Sequence, residues 1–190
     1  MAPGDLWFFD RIAPIYDLVV PRAGANTLAA ALERAERPVE RVLDVGGGTG
    51  RAARALDAPE RVIIDASPGM LARAPPGIGR VRGDARRLPV RDASVDAVVI
   101  VDAYHHLPGR RAVLREVVRV LAPGGILVVQ EFDPSTLRGR LLAAGERLIG
   151  MDSRFDPPGD LVAALSEAGL DATVVEPGFA YTVAGTKPGA

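Results

Sequence analysis

The chain contains no cysteine, and only one asparagine (Asn26), one glutamine (Gln130) and one lysine (Lys187). The lack of cysteine excludes disulfides and thiolate metal sites, zinc ribbons among them, and leaves the redox compartment open. Long apolar runs are missing too: none approaches the roughly 20 residues that cross a bilayer, so no membrane insertion is expected. The opening MAPGDLWFFDRIAPIYDLVV breaks its apolar residues with Asp5, Asp10, Arg11 and Asp17, which excludes an ordinary secretory signal, and the cytoplasm is the expected location. An excess of one charge is also absent. The 23 Lys and Arg against 24 Asp and Glu give a formal net charge of -1, so neither nucleic acid nor an anionic membrane is an expected partner. Scarce Asn, Gln and Cys is a thermophile tendency; a genome favouring Arg, Ala, Gly and Pro codons explains it as well, because heat adaptation across proteomes brings more lysine.

What is present is a soluble-protein composition, 48% hydrophobic and 25% charged over 190 residues, the size of one domain with one core. Apolar, β-branched runs alternate with helical stretches, which predicts an α/β domain with a parallel sheet. The expected strands are Arg41 to Val45, Arg61 to Asp65, Arg80 to Arg82, Val95 to Asp102 and Ile126 to Glu131. VDAVVIVD and ILVVQE are almost continuous, as strands buried on both faces are. Helices are expected at about Ala52 to Leu56, Ser67 to Ala74 and Arg110 to Leu121, the last with Arg111, Arg115 and Arg119 on one face. That stripe reads as a solvated face rather than an RNA contact, since no aromatics interleave with it. At the end, DATVVEPGFAYTVAGT turns at Pro177-Gly178, which forces antiparallel pairing.

The glycine loop in RVLDVGGGTGRAARAL admits two readings. Gly48-Thr49-Gly50-Arg51-Ala52-Ala53 fits a dinucleotide fingerprint with Asp65 as the ribose acid, while Asp44-x-Gly46-x-Gly48-x-Gly50 fits a nucleoside without a pyrophosphate. Residues just after the strands form one rim in such sheets. Here that rim carries Asp44, Asp65, Asp84, Asp102, Glu131 and Asp133. An acid at Asp44 repels a pyrophosphate and suits an ammonium, and the helix start after the glycines suits a carboxylate. The ligand this favours is S-adenosyl-L-methionine.

In VLDVGGGTG, VIIDASPGML, VRGDARRLPVRDASVDAVVIVDAYHHLP and VLREVVRVLAPGGILVV, taken in that order with the terminal hairpin, the chain resembles the class I S-adenosylmethionine-dependent methyltransferases. FFDRIAPIYDL resembles the N-terminal stretch of the ubiquinone/menaquinone-type C-methyltransferases within them. The resemblance implies a Rossmann-like doubly wound sheet in order 3-2-1-4-5-7-6 with strand 7 antiparallel and helices on both faces. It implies that Asp44, Gly46, Gly48 and Gly50 line the methionine and ribose part, that Asp65 takes the ribose hydroxyls and that Met70 packs near the adenine. Asp84 and Ala85 hold the adenine edge, Asp102 and Tyr104 border the sulfonium, and Tyr16 closes over the cofactor. One domain is expected, with cap helices over 1–37, a cofactor core over 38–132, a substrate-side insertion over 133–158, and a last helix and hairpin over 159–190.

Methyl transfer needs alignment and desolvation more than a dedicated residue. If the acceptor must lose a proton, His105 and His106, just past strand four, are the candidate catalytic bases; no metal set is expected, and Glu131 and Asp133 are further pocket candidates. The activity expected is methyl transfer to a small-molecule acceptor. Quinone-precursor C-methylation is the runner-up: Leu18-Val19 replaces the Met-Asn that usually follows Tyr-Asp in those enzymes, and the insertion is short. A catalytically idle cofactor-binding module and an NAD(P)-dependent oxidoreductase are the remaining alternatives.

Overall fold

The computed structural model describes residues 3–19 and 24–189; residues 1, 2, 20–23 and 190, and with them part of the expected cap, lie outside the described residues. The chain begins with α1 (Pro3–Ile12), α2 (Tyr16–Val19) and α3 (Ala25–Leu32). The alternating core follows as β1 (Arg41–Val45), α4 (Arg51–Ala55), β2 (Glu60–Asp65), α5 (Pro68–Leu71), β3 (Gly79–Arg82) and β4 (Val95–Val101). A 3-10 turn at Tyr104–His106 leads to α6 (Arg110–Val120) and β5 (Leu121–Phe132), then α7 (Leu137–Leu148), α8 (Pro158–Glu167), β6 (Asp171–Glu176) and β7 (Ala180–Thr186). The sheet runs β3-β2-β1-β4-β5-β7-β6, parallel through β5, with β7 antiparallel to both neighbours. The order and the reversed strand are those the sequence predicts.

Both faces of the inner strands β1, β4 and β5 are covered, so their residues alternate between two cores instead of between core and water. Val98 and Ile100 of β4 face α6 and α8 with Val113, Val117, Leu161 and Leu165. Ala97, Val99 and Val101 face the opposite layer with Leu28, Ala31 and Ala52. The strand ends that carry the acids therefore project from a rigid, doubly packed platform.

Two expected elements differ. The helix expected over Ser67 to Ala74 closes after Leu71: Ser67 caps it by accepting from Met70 N–H at 3.1 Å, and the Pro75-Pro76 pair disfavours helical backbone immediately before it. β5 starts at Leu121 rather than Ile126, because Leu121 already pairs with Val95 across a register shift before Pro123-Gly124.

Candidate functional site

The strand ends β1, β2 and β4 and the N-terminal helices enclose a narrow cavity of about 30 Å³, which shares Gly46 and Asp65 with a second of about 380 Å³ beneath β3. Gly46 and Gly48 wall the narrow part with φ of 71° and 54°, backbone that side-chain-bearing residues rarely adopt. A Cβ on Gly48 would meet Met70 Cε at 2.9 Å, so the glycine lets the loop lie against that methionine. Gly50 does not line either cavity; it starts α4 in the left-handed region, and its place is structural.

Asp44 is 1% exposed; its Oδ2 accepts from Ala53 N–H at 3.1 Å, and its Oδ1 has no partner among the described residues. Burial, reinforced by the Asp65 charge, pushes its pKa up to about 7. Asp65 accepts from Gly48 N–H at 2.9 Å and Ser67 N–H at 2.7 Å, one on each oxygen, which fixes the loop and leaves lone pairs for further donors. Burial raises its pKa as well. Asp102 sits at φ 50°, an uncommon conformation for a residue with a side chain and the kind of strain that gathers at functional sites. Its Oδ2 takes Arg51 Nη2 at 3.0 Å, while the Arg51 guanidinium lies over the Tyr16 ring at 5.3 Å. Burial raises the Asp102 pKa against the opposing pull of Arg51, and raises that of Tyr16.

The N-terminal helices are docked over this loop by two carboxylates. Asp10 accepts from Ser67 Oγ at 2.5 Å and Gly69 N–H at 2.8 Å; Asp17 accepts from Thr49 Oγ1 at 2.5 Å and pairs with Arg54 at 2.9 Å. Phe9 and Tyr16 thereby become walls of the narrow cavity, with Phe9 against His106 at 5.0 Å between centroids.

Asp84 and Ala85 line the larger cavity, not the narrow one, and the Asp84 carboxylate is already gripped by Arg86 at 2.6 Å. Tyr104 borders neither: it is buried in the core with the Arg110 guanidinium over its ring at 4.8 Å. After β4 the cavity is reached by Asp102, Ala103 and His106 but not by Tyr104, because the 3-10 turn rotates Tyr104 inward. Arg51 was not among the expected site residues, whereas Phe9 belongs to the N-terminal segment expected to cap the site. Arg51 looked like an ordinary helix-start arginine, and only its place immediately after the glycine loop marks it.

The two histidines take different surroundings. His105 Nδ1 lies 2.7 Å from Glu131 Oε2, its Nε2 lies 3.8 Å from Glu146, and Phe155 stacks on it at 4.3 Å. Burial opposes its charge, but the Glu131 and Glu146 carboxylates outweigh burial and raise its pKa. His106, touched by Ser153 at its Nδ1 (3.2 Å), is held neutral: burial, then the charge on His105, push its pKa down to about 2. His105, His106 and Glu146 bring ligand-type atoms within 4.8 Å of one another, a grouping the sequence reading did not foresee. Glu131 reaches His105 rather than the cavity, and Asp133 caps its own turn by accepting from Ser135 N–H at 2.8 Å.

A strand-end glycine loop with a buried acid on each side, under a sheet closed by an antiparallel β7, defines a class, and residues 43–129 match the methyltransferase domain family. The chain belongs to the class I S-adenosylmethionine-dependent methyltransferases. It is 32% identical over 203 residues to a ubiquinone/menaquinone biosynthesis C-methyltransferase of Methylobacterium nodulans, covering 85% of this chain and 81% of the relative. It is 42% identical over 134 residues to a demethylmenaquinone methyltransferase of Beutenbergia cavernae, covering 65% of this chain and 56% of the relative. The chain thus spans little more than half the length of that relative. Its fold matches a SAM-dependent methyltransferase of Thermotoga maritima with a TM-score of 0.76 at 23% identity, over 95% of this chain and 99% of the other.

The family's cofactor is S-adenosyl-L-methionine, and three features fit it. Asp44 Oδ1 is a buried acceptor without a partner among the described residues, Gly46 and Gly48 leave room for a ligand against the backbone, and the two cavities meet at Asp65, where a ribose would join adenine to methionine.

Proposed function

We propose that the chain transfers the methyl group of S-adenosylmethionine to a small-molecule acceptor in the cytoplasm. The observation that supports this best is the pair of cavities meeting at Asp65, with an unpartnered buried carboxylate oxygen at the methionine end. When bound, the cofactor would supply an electrophilic methyl on a sulfonium to the acceptor's lone pair, with S-adenosylhomocysteine as the other product.

The chain's own residues hold and enclose. Asp44 receives the ammonium, Asp65 the ribose hydroxyls, Met70 packs at the nucleoside, and Gly83 to Ala85 border the adenine. Arg51 and Asp102 occupy the sulfonium end, where Arg51 is placed to meet the carboxylate. Phe9, Tyr16 and His106 exclude water from the reacting pair, which lowers the cost of neutralising charge in the transition state. A neutral His106 is too weak a base to take a proton at physiological pH, and the carboxylates of Glu131 and Glu146 favour the charged form of His105, which cannot accept one. Alignment therefore carries the transfer, and any acceptor proton leaves to solvent. No helix among the described residues is long and apolar enough to cross a membrane.

A second reading, quinone-precursor C-methylation, is favoured by the activities named for the Methylobacterium and Beutenbergia relatives. Incubation with radiolabelled S-adenosylmethionine and fractionated cell extract separates the readings by the labelled product. Label in a quinone precursor supports the second; label in a different small molecule supports the first alone; no label in any fraction, with the cofactor bound, favours the idle module.

A further inference from the structure

The arginine stripe foreseen on α6 does not stay together. Arg119 is withdrawn: its guanidinium is held by Glu116 at 2.7 Å, Asp92 at 2.6 Å and the carbonyls of Leu88 and Val90. Arg111 and Arg115 instead meet Arg154, from the segment after α7, in a cavity of about 600 Å³. This is the size of a small-molecule site. All three are exposed, and no ion pair engages any of them among the described residues. Arg110 lines the cavity as well; it pairs with Asp156 through Nη1, and its Nη2 has no partner among the described residues. Asp152 is the lone acid in the lining among the described residues. Once Asp152 and Asp156 are set against the four arginines, two positive charges remain in excess.

The position of this cavity gives it meaning. His106 is a wall both of the arginine cavity and of the narrow cofactor cavity, so the two meet at that residue. The same excess of positive charge opposes a cation at the nearby His105, His106 and Glu146 grouping. A solvated arginine face would spread its charges along the helix; here the chain gathers them from two separate elements beside the reacting end.

We propose that this cavity is the acceptor's anion subsite, and that it takes a phosphate monoester or an unesterified phosphonate, either as the dianion, whose uncharged part extends past His106 towards the methyl group. Forked guanidinium donors match phosphoryl oxygens in pairs, and two excess charges match a dianion. The inference rests on the methyltransferase reading above, and it departs from a neutral quinone acceptor.

The test uses the full chain saturated with S-adenosylhomocysteine, titrated with phenyl phosphate, benzoate and anisole and followed by calorimetry and ligand-observed NMR. Phenyl phosphate should bind once per chain, at least tenfold more tightly than benzoate, with anisole weaker still. Arg111→Gln and Arg154→Gln should each weaken it about threefold or more and their combination tenfold or more, while Arg34→Gln, on a distant exposed turn, leaves it unchanged. Binding unaffected by the paired substitution, or no preference for phenyl phosphate over benzoate and anisole, overturns the subsite. Failure of S-adenosylhomocysteine itself to bind would instead strike the methyltransferase reading, so the two failures are told apart.

Discussion

The two sides of His106 are built on different principles. On the cofactor side, recognition comes from backbone shape: left-handed glycines, N–H groups fixed by Asp65, and an acid buried at the foot of β1. Its parts lie within one βαβ unit and the next strand ends, so their spacing is set by the fold. On the acceptor side, recognition comes from long side chains gathered from α6 and the segment after α7, over a histidine pair braced by β5. A backbone-built site tolerates few changes; a side-chain-built one can be altered residue by residue without loss of the platform.

The largest expected effect lies in the brace between the sides. His105 keeps a folded pKa above its unfolded value, so the stabilisation from Glu131 is fully present below about pH 6.5 and is lost as pH rises through the folded value. Glu131→Gln should therefore cost about 3–5 kcal/mol near pH 6, the usual penalty for breaking a buried ion pair, and distinctly less near pH 9. Chemical denaturation of both proteins at the two pH values checks this; an equal loss at both would mean that His105 in the folded protein does not change charge between them.

Next comes the cofactor side. Asp65→Ala removes an acceptor of hydroxyl donors and the anchor of the Gly48 amide, and hydrogen bonds to charged groups contribute roughly 1.5–3 kcal/mol each. Affinity for S-adenosylhomocysteine should fall tenfold or more by calorimetry, whereas Arg111→Gln should leave it unchanged. Equal effects from the two would erase the division at His106.

A smaller and sharper effect concerns Asp44. Its folded pKa of about 7 lies far above the unfolded carboxylate range, so in the free protein it is largely protonated below that pH. An ammonium needs it ionised, and binding must then release a proton. Affinity for S-adenosylhomocysteine should drop about tenfold per pH unit below about 7 and flatten above it; Asp44→Asn should bind weakly with no such slope. A wild-type affinity that does not change across that range contradicts the ammonium role.

The smallest effect is at Thr136, which caps α7 by accepting from Gly139 N–H at 3.0 Å. Thr136→Ala should cost about 1 kcal/mol and leave cofactor affinity intact.

The cofactor side was legible in the sequence because its determinants are local. VLDVGGGTG, the acid ending VIID and the continuous apolar strands mark the rim, the sheet order is implied by the family resemblance these motifs carry, and β7 reverses because Pro177-Gly178 leaves no room for a crossover. Tyr104 left its expected place at the cavity while His106, one of the two candidate bases, lines it, since a 3-10 turn after β4 rotates each residue by about 120°. A strand or loop reading does not contain that rotation. Arg51 and the arginine cavity were illegible for a different reason: a helix-surface arginine looks the same in sequence whether it meets solvent, Asp102, or an arginine from a segment some forty residues away. Asp84 had the expected place but not the expected freedom, because Arg86 two residues later grips it.

The central claim is that the glycine loop and its flanking acids form a site for S-adenosylmethionine and not for a dinucleotide. Calorimetric titration of the unmodified chain with S-adenosylhomocysteine and, separately, with NADH tests it most directly. The account predicts saturable one-to-one binding of S-adenosylhomocysteine and none of NADH; tighter binding of NADH would contradict it.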